Sequence, residues 1–418
     1  MAVAAPSACR RRDTCRLCAS RDLALAFSLT PTPPANAFVP ASEAQTPQDA
    51  FPLDLFFCRT CAHLQLLDVV DPALLFENYV YVSGTSPVFV EHFKAYANDA
   101  VTRFTVAPGS LAVDIGSNDG TLLRFLKNLG LRVLGIDPAR EIAQRATQAG
   151  VETLPEFFTL DLARRIRAEH GPTALVTANN VFAHADDLTG IVTGVRELLA
   201  PDGVFIFEVS YLADVYQKTL FDTIYHEHVA YHSVAPLRTF LTANGLEMIE
   251  ALRIDSHGGS LRGMAQLAGG PRPSGQSVAE LVALEQTIAL DRIETFRDFA
   301  SDIEQRKTDL LAVLRGVKDA GKTIAGFGAP AKATTLMFHF GLGPDLIDFI
   351  VDDSPFKQGL LSPGQHIPVL PSSAIYERNP DYLLILAWNF APSIIAKHQA
   401  FASAGGHFII PLPTVEVF

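Results

Sequence analysis

Apolar positions along this chain fall into stretches of different period. From about residue 107 they come as short continuous runs alternating with helically spaced ones. "LAVDIG" (111–116) reads as a buried strand ending on glycine, and "TLLRFLKNLG" follows with helical spacing and a glycine stop. "RVLGIDP" (132–138) is the next strand and "AREIAQRATQAG" the next helix. "ALVTAN", a helix through 186–200 and "GVFIFEVS" continue the rhythm, and "LEMIEALRI" with "LRGMAQLAG" reads as a closing pair of adjacent strands. This alternation predicts a mostly parallel sheet covered on both faces.

Residues 277–320 are unbroken helix-former sequence and predict one or two long connecting helices. A second, smaller doubly wound unit then begins: "KTIAGFGAPAKATTLMFHFGLG", "LIDFIVDD", "YLLILAWNF" and "GHFIIPLP". Residues 1–75 show no long helical period, and "TPTPPANAFVP" is a proline-rich loop. The pattern divides the chain into a small unit at 1–75, an α/β Rossmann-like domain at 76–276, and a connector with a second Rossmann-like domain at 277–418. Fold alone does not give function.

Composition removes some classes. The 418 residues are 48% hydrophobic and 19% charged, enough for a sizeable core, and the formal charge is −12. Such a surface repels phosphate, so neither nucleic acid nor an anionic membrane is an expected partner. No apolar run approaches the roughly 20 residues that span a bilayer. The basic N-terminus is not followed by an apolar segment, so no signal peptide is read and a cytoplasmic protein is expected.

All five cysteines lie in the first 61 residues. Cys15/Cys18 and Cys58/Cys61 form two C-x-x-C pairs, with Cys9 left over. A unit this small usually needs a staple, and four thiolates on two knuckles suit a structural Zn(II). The gap between the pairs is wider than in the common ribbon, and His63 stands nearby as a ligand the four thiols make redundant.

In "VDIGSNDG" (113–120) the first strand turns into a helix, where open α/β sheets bind ligands. Asp114 ends that strand, and Gly116 allows close approach of a ligand. Ser117, Asn118 and Gly120 complete the turn. Asp137, followed by Pro138, ends the next strand about twenty residues on, the place of a ribose-binding carboxylate. The turn lacks a full G-x-G-x-x-G, and Asp114, Asp119 and Asp137 would repel a pyrophosphate. A phosphate-free sulfonium would be well served, which favours S-adenosylmethionine over a dinucleotide. Glu156 and Phe157, after the third strand, are placed to meet an adenine. Asn179, Asn180 and His184 in "TANNVFAHADDL" stand at the rim of the same crevice.

"YHEHVAYH" (225–232) holds three of the chain's twelve histidines. His226 and His228 share a face only in an extended segment, whereas His228 and His232 have the i, i+4 spacing of helical zinc sites. Metal binding and acid–base chemistry both remain open on residues alone. "SHGGSLR" (256–262) offers His257, Gly258 and Ser260 either to a ligand or to a tight hairpin turn. "GFGAPAK" (326–332) opens a helix after a strand, so its backbone N–H groups and Lys332 are placed for an anion such as a substrate pyrophosphate, or they form a nucleotide-type site that has lost its ligand. Tyr79 and Tyr81 in "YVYVSG" either close over a substrate or pack a domain junction.

The paired C-x-x-C unit, "ENYVYVSGTSP" (77–87), "VDIGSNDG", "NNVFAH", "YHEHVAYHS", "SHGGSLR" and "GFGAPAKATTL" together resemble one family over nearly the whole chain. It is the S-adenosylmethionine-dependent C-methyltransferases of nucleotide-linked deoxysugars. The resemblance implies a class I methyltransferase domain between a zinc-bound N-terminal domain that covers substrate and a C-terminal domain that helps hold the nucleotide-sugar. It implies a 4-keto-6-deoxyhexose substrate methylated at C3, or in some members C5. The family's base falls on His228, with Tyr225, Glu227, His184 and Tyr79 in supporting positions. Carbon methylation needs an enolate, hence a base poised near the working pH and donors for the oxyanion, for which Tyr225, His226 and His184 are candidates. Glu227 would orient an imidazole. An O- or N-methyltransferase on the same scaffold is the alternative. A monomer is expected.

Overall fold

The computed structural model describes residues 8–76, 84, 87–256 and 258–418. Tyr79, Tyr81 and His257 lie outside the described residues, and so do the expectations attached to them.

The N-terminal segment contributes β1 (Leu23–Thr32), β2 (Phe51–Cys58) and β3 (Leu64–Leu66). In β2, "FPLDLFFC", every second residue faces inward, so Phe51, Leu53, Leu55 and Phe57 are buried. Helix α1 (Pro87–Arg103) leads into the central domain. There β4 (Leu111–Ile115), α2 (Thr121–Asn128), β5 (Arg132–Ile136), α3 (Arg140–Gln148), β6 (Thr153–Leu154), α4 (Leu160–His170), β7 (Thr173–Asn179), α5 (Leu188–Leu198) and β8 (Leu199–Ser210) alternate as the periodicity predicts. Strand β4 is buried throughout because helices cover both faces of the parallel sheet.

A two-residue strand, β9 (Ala230–Tyr231), precedes α6 (Val234–Ala243), β10 (Leu246–Ile254) and β11 (Ser260–Leu267). The central seven-stranded sheet runs β10-β11-β8-β7-β4-β5-β6. It is parallel from β8 to β6, with β11 antiparallel to both β8 and β10. The order reverses between β4 and β7, and the crevice opens there.

Strand β9 does not join the central sheet. It pairs antiparallel with β3, Ala230 opposite Gln65, and completes the N-terminal sheet in the order β9-β3-β2-β1. The end of "YHEHVAYH" is thus built into the fold of the cysteine-bearing segment.

The connector is two helices, α7 (Gln276–Thr287) and α8 (Ile293–Asp319). Phe296 and Phe299 of α8 pack edge or tilted against Phe57 and Phe27, with centroids 5.8 and 5.9 Å apart. Glu285 of α7 accepts from the Val234 and Ala235 N–H groups at 2.5 and 3.0 Å and so caps α6. The C-terminal unit follows as β12 (Ile324–Phe327), α9 (Ala331–Phe340), β13 (Ile350–Val351), β14 (Val369–Leu370), β15 (Tyr382–Ile385), β16 (His407–Ile410) and β17 (Glu416–Val417), ordered β14-β13-β12-β15-β16-β17. One hydrophobic core runs through all of this, from Leu53 and Leu55 through Val113 and Phe207 to Leu336 and Phe340. No described helix is long and apolar enough to cross a membrane.

Candidate active site

At the carboxyl ends of β4, β5 and β7 lies a cavity of about 360 Å³, within the usual size of small-molecule sites. Asp114, Gly116, Ser117, Asn118, Asp137, Pro138, Glu156, Phe157, Asn179, Asn180 and His184 all line it, so the sequence-selected residues of four loops meet at one cavity. Gly120 does not line it. It stands at φ 75° as the N-cap of α2, a conformation that favours glycine. Gly116 is also left-handed at φ 71°, and an added Cβ would lie 2.2 Å from Val181 Cγ2. A side chain at this lining position would therefore be both strained and in collision with Val181.

The carboxylates are held in readiness. Asp137 accepts from the N–H groups of Asn118 at 2.8 Å and Ala139 at 2.9 Å. Burial raises its pKa, against those two bonds. Asp114 accepts from the Thr177 hydroxyl at 2.6 Å, and burial pushes its pKa up to about 7. Glu156 is engaged at the rim by Arg165. Asp186 and Asp187 add to the acidic lining, and no lysine or arginine is among the described lining residues. A sulfonium meets complementary charge here, whereas a pyrophosphate would be repelled. The Asn179 carboxamide is buried at the cavity with only a loose approach from the Tyr96 hydroxyl, which leaves donor and acceptor capacity for an adenosyl group. The residues present therefore fit S-adenosylmethionine.

Pro72, Phe76, Phe89 and Phe93 form an aromatic side of the cavity that the sequence reading missed. Asp186 and Asp187 were missed too, although they lie within "TANNVFAHADDL". Nothing in local spacing marks any of them as lining.

His184 carries the cavity into the histidine-rich loop. Its ring stacks on His228 with centroids 4.9 Å apart, and Tyr225 lies over His228 at 4.1 Å. Both loops are tied together because the N–H groups of Val229 and Ala230 donate to the Ala183 carbonyl at 3.1 and 3.2 Å. His228 Nδ1 lies 2.7 Å from the Thr223 carbonyl oxygen. A carbonyl only accepts, so Nδ1 carries the proton, and the neutral ring keeps its lone pair on Nε2. Surrounding protein mass lowers the pKa of His228 to about 4, so the ring is neutral at pH 7.

Glu227 points elsewhere. Its carboxylate accepts from Asn36 Nδ2 at 2.9 Å and feels the charge of Lys357, which joins the central loop to both flanking segments. The orienting bond expected from Glu227 is made by the Thr223 carbonyl. His226 donates from Nε2 to the Phe51 carbonyl at 3.2 Å and meets the Phe51 ring edge-on. Its remaining nitrogen is then an acceptor and cannot donate to an oxyanion. His232 is stacked between His63 and Phe182, with centroids 5.5 and 5.4 Å away. The three histidines do not converge on a point, and the i, i+4 metal reading finds no support in their geometry.

The cysteines do converge. The Sγ atoms of Cys15, Cys18, Cys58 and Cys61 lie within 4.8 Å of one another, with Cys15–Cys61 at 3.6 Å and Cys18–Cys58 at 3.5 Å. Four bonds of about 2.3 Å to one Zn(II) place sulfurs about 3.8 Å apart, so the donor set fits structural zinc. Each knuckle ends on a left-handed alanine, Ala19 at φ 58° and Ala62 at φ 62°. His63 is excluded from the cluster by its stacking on His232.

The remaining candidates are dispersed. Gly258, at φ 93°, and Ser260 form the β10–β11 turn, with Lys218 Nζ donating to the Gly258 carbonyl at 2.7 Å and the Ser260 hydroxyl donating to the Ser256 carbonyl at 3.1 Å. Lys332 Nζ lies 3.4 Å from Asp222 Oδ2 and 4.0 Å from the Trp388 ring centroid. Trp388 Nε1 donates to the same Asp222 oxygen at 2.6 Å. The Ala329 N–H, part of the expected anion nest, donates instead to Asp352 at 2.6 Å.

Comparison with known proteins matches residues 15–76 to a putative zinc-binding domain, 89–251 to a methyltransferase domain and 255–413 to a C-methyltransferase C-terminal domain. The chain is 37% identical to C-methyltransferase NovU of Streptomyces niveus over 405 residues, 97% of this chain and 96% of that protein. Two solved structures that resemble it do so over less than half its length. Magnesium protoporphyrin IX methyltransferase of Synechocystis PCC 6803 is 16% identical over 43% of this chain and 80% of its own, with a TM-score of 0.32. An S-adenosylmethionine-dependent methyltransferase of Clostridium acetobutylicum ATCC 824 is 10% identical over 43% of this chain and 92% of its own, with a TM-score of 0.34.

Proposed function

The chain belongs to the S-adenosylmethionine-dependent C-methyltransferases with an N-terminal zinc-binding domain, and from that premise we propose that it methylates the carbon beside the ketone of a nucleotide-linked 4-keto-deoxyhexose, C3 foremost. Carbon as the acceptor follows from the family, so the O- and N-methyl alternatives are set aside. S-adenosylmethionine, when bound, supplies an electrophilic methyl group. Asp114, Asp137, Asn118 and Asn179 would hold it.

One observation carries the base assignment. His228 gives its Nδ1 proton to the Thr223 carbonyl and keeps a bare Nε2 beside the cavity-lining His184. A neutral, oriented imidazole is able to take the proton α to a ketone. Burial keeps it unprotonated at neutral pH, but its pKa of about 4 lies below the working range expected of the base, so the bound substrate must raise it for proton transfer. The electron pair of the broken C–H bond then passes to the carbonyl oxygen as an enolate. Tyr225 and His184 stand close enough to His228 to donate to that oxyanion. The enolate carbon would attack the methyl carbon in line as the methyl–sulfur bond breaks and the neutral thioether leaves, with Phe76, Phe89 and Phe93 placed to keep water from the transfer.

A panel of nucleotide 4-keto-deoxyhexoses, with product NMR, tests the substrate: a new methyl on C3 is the expected result. H228Q should lower kcat by at least about a hundredfold while calorimetry finds S-adenosylmethionine bound as in the wild type. Near-normal turnover in H228Q would remove His228 as the base.

A further inference from the structure

Arg16 occupies an unusual place. It sits inside the first knuckle, between Cys15 and Cys18, yet its side chain is 0% exposed. Burying a guanidinium costs several kcal/mol unless its bonds are well made, and an apolar side chain would fill the space as well. What Arg16 touches is therefore informative. Its backbone N–H and its Nη1 both donate to Gln65 Oε1 at 3.1 Å, and Nη1 also donates to the Leu66 carbonyl. Gln65 and Leu66 belong to β3. That strand pairs with Ala230, and the Leu66 N–H donates to the Val229 carbonyl at 3.0 Å, just beyond His228. On its other side Arg16 Nη2 lies 3.0 Å from Asp186 Oδ1, an ion pair without hydrogen-bond geometry, so the charge rather than a formed bond holds Asp186. Asp186 lies two residues beyond His184 and lines the cavity.

One side chain thus grips both histidine-bearing segments. Arg10 and Arg12 reinforce the grip on Asp186, Arg12 through the carboxylate at 3.2 Å and the backbone carbonyl at 3.1 Å. Burial alone would raise the pKa of Asp186, but Arg16, Arg10 and Arg12 together hold it below the usual carboxylate range. The N-terminal segment therefore reaches the cavity through a side chain that is not itself a metal ligand, though it springs from the knuckle.

We propose that Arg16 is a positioning residue for methyl transfer, locking the His184 and His228 segments in register from within the zinc knuckle. The proposal rests on the assignment of His228 and His184 above. A register error of an ångström at a reacting centre costs about a hundredfold in rate, so a covered guanidinium has a specific task here.

The test uses the full-length zinc-loaded protein. R16M should retain stoichiometric zinc and bind S-adenosylmethionine within about twofold of wild type, while kcat on the nucleotide keto-sugar falls about 10- to 100-fold. R16K, which keeps the charge but not the planar fork, should recover only part of that loss. In R16M, D186N should add little further loss, because the two side chains act as one unit. A substrate-free readout separates this inference from the substrate assignment. In histidine-labelled protein, R16M should move the His184 and His228 ring resonances and leave those of His398 and His407 in place. Should no keto-sugar be turned over by the wild type, that shift still supports the register lock. If R16M fails to fold, D186N with zinc retained should give the same resonance shifts. Unmoved His184 and His228 signals, wild-type kcat in R16M, or loss of zinc along with activity would each overturn the proposal.

Discussion

At the scale of single residues, the histidines separate by what surrounds each ring. His228 stands open to Nε2 chemistry, whereas His226 and His232 are structural rings with one bond each to a carbonyl. Burial lowers His232 from 6.5 to about 4. Above pH 6.5 neither folded nor unfolded chain protonates it. Between 6.5 and about 4 the unfolded chain takes up the proton and the folded chain does not, so the stability it confers falls as pH falls through that window. The slope is up to about 1.4 kcal/mol per pH unit. Buried Asp114, raised to about 7, pulls the other way, so the whole-protein slope does not isolate the histidine. The difference between H232F and wild type does. Phenylalanine keeps the stack between His63 and Phe182 and gives up only a 3.4 Å bond. Urea midpoints from pH 6.5 down to about 4.5 should fall less steeply in H232F, by up to that slope. Parallel curves would mean His232 protonates alike in both states.

At the scale of elements, the 3-10 turn Phe221–Thr223 orients the ring proposed as the base, because its last carbonyl holds His228 Nδ1. The C-terminal unit clamps this turn. Lys332 and Trp388 both meet Asp222, and the Thr335 hydroxyl donates to the Ile224 carbonyl at 2.7 Å. Asp222 is fully buried and raised in pKa, so removing Lys332 favours its protonation and loosens the turn. We expect K332M to lower kcat about tenfold with the substrate KM nearly unchanged, the mark of lost transition-state geometry. A tenfold rise in KM at constant kcat would return Lys332 to the anion-binding role its place in "GFGAPAK" suggests. This contrast shows what was legible. Strands such as "LAVDIG" and turns such as "VDIGSNDG" declare themselves by local period and charge, and the acidic cavity wall follows from them. The four cysteines are legible from their pairing. The partners of His226, Glu227 and Lys332 are not, because Phe51, Asn36 and Asp222 lie more than a hundred residues away in sequence. Two apolar residues at 230–231 carry too little pattern to announce a strand that joins a distant sheet.

At the scale of the whole molecule, that guest strand should make order in the His228 loop depend on zinc. The N-terminal sheet is folded around the cysteine knuckles and has β9 as its edge. A small unit held by a four-thiolate site loses folding free energy when the metal is removed. The damage should pass along β3 to β9 and then to the Ala183 carbonyl, which holds the Val229 and Ala230 N–H groups. It should not reach the C-terminal sheet, whose strands β12 and β15 pair only within their own unit. Hydrogen exchange before and after chelation reads this directly. Amides of residues 64–66 and 229–231 should lose protection together, while those of 324–327 and 382–385 keep theirs. Calorimetry should still find S-adenosylmethionine binding, because Asp114 and Asp137 sit on strands of the central sheet that the metal does not hold. Loss of protection confined to residues 9–70 would separate the zinc unit from the base loop, and the strand exchange between them would then be packing without mechanical consequence.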